Sequence, residues 1–221
     1  MSALVREAHA RGHEIASHGW THERVETHGR EGFREDVRRS LGELGDLIGA
    51  PLRGFRAPIF SITGETMWAL EVLAELGLAH DSSVFPIAGR RYGVAGFPRH
   101  AVRLSRGEAS IVEVPLSAVD LLGRSLPVAG GGYFRLMPPR IIQAAFTAVH
   151  CDGRPFVAYM HPYEFDPEPL RHRGDEHPSR SAARREELLT NLARRTMPAK
   201  LSRLLSEFRF SSIDRCLRHA E

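Results

Sequence analysis

Apolar positions recur along this chain at two different periods. Phe33, Val37, Leu41, Leu44 and Ile48 return every three to four residues, which predicts a helix over 31–48 with one face on a core. Pro51 ends that stretch. Residues 3–10 show the same period and stop before Gly12, placed as a left-handed C-cap. Thr63 stands as an N-cap for a helix through Leu76, closed by Gly77. Between these helices, residues 13–17, 52–57 and 78–82 read as short extended strands. Strands alternating with helices predict a parallel sheet wrapped by helices.

The later chain is less regular. Residues 85–110 carry Pro, Gly and Arg and read as long loops with an edge hairpin, and 111–114 as a short strand. Gly130-Gly131-Gly132 is read as a tight turn, because no Lys-Ser/Thr follows it and the G-x-G-x-x-G spacing of a phosphate cradle is missing. A helix is expected over 138–150, after Pro138-Pro139. Phe156–Met160 is a continuous apolar run, as in a buried parallel strand, with His161 at its C-terminal end. Residues 167–181 read as a polar linker, 182–207 as helix broken at Pro198, and 208–213 as a last strand. This divides the chain into a core over 1–166 and an extension over 167–221 packed on the same domain.

Composition narrows the class. A content of 42% hydrophobic and 26% charged residues is that of an ordinary globular protein, and 221 residues suffice for one large α/β domain. No apolar run approaches the roughly 20 residues of a membrane span. The first 12 residues lack a secretory signal pattern, so the expected location is the cytoplasm, with the cell envelope as the alternative if a lost N-terminus carried a signal. Cys151 and Cys216 form no metal or disulfide pattern and are expected as small buried hydrophobes. The net charge of +3 comes with a late cluster of Arg171, Arg173, Arg180, Arg184, Arg185, Arg194 and Arg195, read as a solvated helical face. No stacking-aromatic pattern accompanies it, so nucleic acid is not an expected partner.

The candidate chemistry starts at His18 and His22. Imidazoles four residues apart can point at one ion of the zinc type. Arg56, Asp81 and His161 join them by position, since each falls at or just after the C-terminal end of an expected strand, where parallel α/β folds keep their functional groups.

The segments around those residues resemble the polysaccharide deacetylases of the NodB-homology type (carbohydrate esterase family four), most of all the exosortase-linked exopolysaccharide deacetylases. They are Gly12-His13-Glu14-Ile15-Ala16-Ser17-His18-Gly19-Trp20-Thr21-His22, Phe55-Arg56-Ala57-Pro58-Ile59-Phe60-Ser61 and Asp81-Ser82-Ser83-Val84-Phe85-Pro86. Gly130-Gly131-Gly132-Tyr133-Phe134-Arg135-Leu136 and Tyr159-Met160-His161-Pro162-Tyr163-Glu164-Phe165-Asp166-Pro167 continue the series in family order. The resemblance implies an irregular (β/α) barrel acting on an N-acetylated polysaccharide or oligosaccharide. It implies that His18 and His22 bind a divalent metal, most often zinc, and that His161 is the general acid that protonates the departing amine. It further implies that Arg56 orients a catalytic carboxylate, that Asp81 pairs with a neighbour to hold the site's geometry, and that Phe60 and Tyr163 line a sugar groove.

One departure stands against these agreements. The family's first motif, a T-F-D-D or D-V-E segment on the first strand, has no counterpart among the seventeen residues before His18. With it go the metal's carboxylate ligand and the general base. Two readings follow: an N-terminally incomplete deacetylase, or a non-catalytic glycan-binding or assembly protein of the same fold.

Overall fold

The computed structural model describes residues 2–89, 92–121, 123–128, 130–166, 168–170 and 179–219. Arg171 and Arg173 lie outside the described residues, as does most of the expected 167–181 linker. The chain divides into two compact units, residues 1–118 with 211–221, and residues 119–210.

In the first unit, α1 (Ser2–Ala10) ends at Gly12, whose φ of 83° is the left-handed C-terminal turn its position suggested. Helix α2 (Val25–Ile48) begins earlier than expected, across a kink at Gly29 (φ 62°, ψ −179°). The early turn forms because Val25 is buried and its N–H donates to the Ser61 hydroxyl at 3.1 Å. Strand β1 (Gly54–Phe55), helix α3 (Trp68–Glu75) and strand β2 (His80–Asp81) follow, then the hairpin β3 (Val102–Arg106) and β4 (Ala109–Glu113). The sheet order is β1-β2-β4-β3, with β1/β2 and β2/β4 parallel and β3/β4 antiparallel. Ser17 adds a parallel bridge to Phe55, so residues 13–17 run beside β1 as an extended segment reduced to one paired residue. This is the mixed α/β fold with parallel strands that the alternation called for. Val25, Phe33, Val37, Phe55, Leu70 and Leu73 pack the core between the sheet and its helices. Helix α8 (Ile213–Arg218) closes the unit.

The second unit holds the hairpin β5 (Ala118–Leu121) and β6 (Arg124–Pro127), whose first residue belongs to the first unit. Helices α4 (Gly131–Leu136), α5 (Pro139–Cys151), α6 (Arg180–Asn191) and α7 (Met197–Glu207) follow. The glycine run opens α4, and the close approach there requires glycine: a Cβ on Gly130 would lie 1.8 Å from the carbonyl oxygen of Tyr159, the residue to which Gly130 forms a parallel bridge. The expected strand over 156–160 is reduced to that bridge. The break in 182–207 falls over residues 192–196, and Pro198 sits in the first turn of α7, where its missing N–H costs nothing. Phe134, Phe146, Met197 and Leu204 form this unit's core.

Three expectations are corrected. Residues 208–213 are not a strand, because Ser212 caps α8 by accepting from the Arg215 N–H at 3.2 Å. Cys151 and Cys216 are exposed free thiols, being on the outer faces of α5 and α8. Arg194 belongs to no solvated face: it is buried and donates to the Asp166 carbonyl at 2.7 Å.

Candidate active site

His18, Arg56, Ser82 and Val114 each follow a residue paired in the parallel part of the sheet, so they emerge from the same edge of it. The two imidazoles come together there. The His18 and His22 ring centroids are 5.0 Å apart at 68°. Two imidazoles on one tetrahedral ion would have centroids about 5 Å apart, given metal–nitrogen bonds near 2.0 Å. His18 Nδ1 donates to the Arg56 carbonyl at 2.6 Å, which fixes the tautomer and leaves Nε2 as the nitrogen with a lone pair. The donor set fits two of an ion's ligands. No group of three His, Cys, Asp or Glu that could hold a metal occurs among the described residues.

The loop between the two histidines is held from α2. Asp36 accepts from the Trp20 N–H at 2.8 Å, the Thr21 N–H at 2.9 Å and the Thr21 hydroxyl at 2.8 Å. Burial raises the Asp36 pKa, but these three donors outweigh it and hold the carboxyl below its usual range. Gly19 has φ 79°, and a Cβ there would lie 3.0 Å from Asp36 Oδ2. His22 itself is left-handed at φ 58°, a conformation that turns its ring back toward His18. Sequence reasoning missed Asp36, which lies fourteen residues past His22 on a helix identified only by its apolar face.

Arg56 donates from Nε and Nη2 to the backbone carbonyl and hydroxyl of Ser82, both at 2.8 Å. Its guanidinium stands 6.0 Å from the Phe60 ring, which packs edge-on against Phe85 and Tyr92. Phe60 sits on a turn, residues 58–60, in which Ile59 and Phe60 both have positive φ, 56° and 51°. A β-branched residue in that region is strained. Ser61, fully buried, pins the turn by donating to the Pro58 carbonyl at 2.7 Å.

Asp81 is fully buried, and its neighbour is a second carboxyl that the sequence reading did not single out. The parallel register sets Glu113 directly across from it, with no exposed surface. Ser83 fills both Asp81 oxygens, by its hydroxyl at 2.7 Å and its N–H at 2.9 Å. Burial pushes the Glu113 carboxyl well above its ordinary value, and the Asp81 charge beside it pushes the same way.

In the second unit, His161 opens a tight turn that Glu164 organises. The Glu164 carboxylate accepts the His161 N–H at 2.9 Å and lies 3.7 Å from ring Nδ1. The His161 ring stacks on Tyr163, centroids 5.3 Å apart at 26°. Glu164 is fully buried and faces Arg135, with Nε and Oε1 3.6 Å apart. Of the predicted residues, the structure therefore gathers His18, His22, Arg56, Phe60 and Asp81 in the first unit and His161 with Tyr163 in the second.

A family model described as polysaccharide deacetylase matches residues 1–80, and one described as a domain of unknown function (DUF3473) matches residues 82–218. Solved structures share the fold. A crystal structure designated a polysaccharide deacetylase from Mycobacterium smegmatis is 22% identical with a TM-score of 0.53, over 96% of this chain and 70% of that one. Another, so designated from Pseudomonas aeruginosa PAO1, is 18% identical with a TM-score of 0.50, over 95% of this chain and 65% of that one. No curated protein matches the chain.

Proposed function

This chain belongs to the polysaccharide deacetylase family, with a DUF3473 domain over residues 82–218, and from that premise we propose that it removes acetyl groups from the N-acetylated sugars of a bacterial exopolysaccharide or envelope glycan. Family membership places it among the hydrolases. The observation that carries the reading to particular residues is the His18–His22 pair, 5.0 Å apart, with the His18 Nδ1 proton committed to a backbone carbonyl.

His18 and His22 would hold a divalent metal, zinc in the first instance, through ring nitrogens. Such an ion supplies Lewis acidity toward the acetamide carbonyl and makes water acidic enough to react near neutral pH. The remaining work falls to the chain. Asp36 keeps the loop 19–21 closed, so that the two rings are presented together without reorganisation. Arg56 is fixed by Ser82, and its carbonyl sets the His18 tautomer. The Phe60 ring offers an apolar face of the kind that stacks on a pyranose. His161 is assigned the proton delivered to the departing amine, and Glu164 holds the imidazole from its Nδ1 side. Tyr163, stacked on His161, is assigned to sugar binding.

The test is acetate release from N-acetylglucosamine oligomers by zinc-loaded protein, with His18→Ala and His161→Ala beside the parent. Loss in both variants supports the assignment, and undiminished release in either rejects it. Bound zinc and bound oligomer without acetate release would favour the non-catalytic, glycan-binding reading.

A further inference from the structure

A hydrogen-bonded path leads from the interior of the sheet to His18. At its inner end Asp81 and Glu113 face each other across the parallel β2/β4 ladder, both fully buried. Two ionised carboxylates cannot share such a place, since each charge is stripped of water and repels the other. Their bonding says which carries the proton. Both Asp81 oxygens accept from Ser83, as a carboxylate's do. On Glu113, Oε1 accepts from the Val84 N–H at 2.9 Å, while buried Oε2 has no N–H or O–H hydrogen bond among the described residues, and the Glu113 and Asp81 side chains are hydrogen-bonded to each other. A hydroxyl at Oε2, donated to Asp81, satisfies every atom of the pair.

The path then runs outward. The Ser83 hydroxyl donates to Asp81 and accepts from the Ala57 N–H at 2.7 Å. That N–H belongs to the Arg56–Ala57 peptide group, whose carbonyl is the Arg56 oxygen that receives the His18 Nδ1 proton. A planar peptide moves as one body, so holding its N–H holds its C=O. Arg56 is gripped a second time through Ser82, the residue between Asp81 and Ser83.

We propose that Glu113, as a neutral acid hydrogen-bonded to Asp81, is a positioning residue that acts through Ser83 and the Arg56–Ala57 peptide to set the orientation and tautomer of His18. Ionised Glu113 would repel Asp81 and loosen Ser83. A neutral side chain able to donate there preserves the arrangement, and a truncated one does not. The part of the inference that concerns metal rests on the reading of His18 as a ligand; the part that concerns its tautomer does not.

The experiment compares parent, Glu113→Gln, Glu113→Ala and Ser83→Ala by two readouts. Zinc affinity is measured by competition with a chromogenic chelator, and the His18 tautomer by nitrogen-15 NMR of the metal-free protein. Glu113→Gln keeps a donor and should stay within about threefold of parent affinity with the Nδ1–H tautomer intact. Glu113→Ala should lose about 10–100-fold, the usual cost of removing a residue that orients a ligand. Ser83→Ala keeps the buried acid pair and guards against a Glu113→Ala protein that does not fold; it should show the same loss. Combining Ser83→Ala with Glu113→Gln should add nothing to it. Parent affinity in Ser83→Ala, or a Glu113→Gln loss as large as that of Glu113→Ala, overturns the proposal. A parent chain that binds no zinc would sink the metal reading alone. The proposal would then stand or fall on whether Ser83→Ala converts His18 from the Nδ1–H tautomer to a mixture.

Discussion

Asp36 and Thr21 are joined twice: one carboxylate oxygen accepts both the N–H and the hydroxyl of Thr21, at 2.9 and 2.8 Å. The other oxygen takes the Trp20 N–H at 2.8 Å. All three partners donate, so the clamp needs an acceptor at both oxygens. Asp36→Asn puts an NH2 against one of these donors, and should loosen the loop nearly as much as Asp36→Ala. Amide exchange at Trp20 and Thr21 is expected to quicken about tenfold or more in both variants, as hydrogen bonds to a charged group are worth about 1.5–3 kcal/mol. Unchanged exchange in Asp36→Asn would show that the clamp does not depend on charge.

Acid pairs of this kind leave a mark on the pH dependence of stability. The Glu113 pKa is raised well above its ordinary 4.5 in the folded chain, first by burial and then by Asp81. Below pH 4.5 both folded and unfolded forms hold the proton, and nothing is lost. As pH rises above that value the unfolded chain releases it and the folded chain does not, so stability falls until the folded value is reached. Asp36 works in the opposite sense. Its pKa is lowered from 3.8, despite burial, and its contribution is present above that value and lost as acid protonates it in the folded state. Urea midpoints from pH 4 to 9 should therefore show Glu113→Gln gaining on the parent steadily above about pH 4.5 and then holding a constant lead. Parallel curves for the two proteins would place the proton elsewhere.

The fold was legible where a period repeats, as in Phe33, Val37 and Leu41, or where a glycine must be left-handed, as at Gly12 and Gly77. It was illegible at 208–213, where a strand was expected and Ser212 instead caps α8. The site divides the same way. His18, Arg56 and Asp81 could be found because they fall at or just after the ends of expected strands, and His22 because it stands four residues from His18. Glu113, Asp36 and Glu164 could not. Each acts across a register or a turn, and neither charge nor spacing along the chain announces that a carboxylate will be buried opposite another or under a loop. No helix among the described residues is long and apolar enough to cross a membrane.

Two glycines of the first unit should answer alanine with opposite signs. A Cβ on Gly54 would stand 2.4 Å from His80 Nε2 and 3.0 Å from Glu14 Oε1, which are themselves 2.8 Å apart. His80 is buried, so it has nowhere to withdraw. Gly54→Ala is expected to cost about 3 kcal/mol through overpacking and the broken pair. Gly42, inside α2 with no atom within 4 Å of a new Cβ, should gain about 0.5–1 kcal/mol as alanine. Chemical denaturation of both variants measures the difference, and equal effects would refute the packing at Gly54.

Glu164 serves two masters in the second unit, and its variants should separate them. One oxygen accepts the His161 N–H at 2.9 Å; the other faces the buried Arg135 guanidinium at 3.6 Å. Arg135 also donates to the Thr190 and Leu189 carbonyls, so it cannot turn outward without breaking those bonds. Glu164→Ala leaves that cation without its counter-charge and should cost about 3–5 kcal/mol. It should also free the His161 turn, and lower kcat by about 100-fold if His161 delivers the proton. Glu164→Gln keeps an acceptor for the His161 N–H while removing the charge. It should therefore lose stability nearly as far as Glu164→Ala but retain kcat to within about tenfold. Equal kcat losses in the two would mean that charge beside Nδ1, and not the fixed turn, is what His161 draws from Glu164.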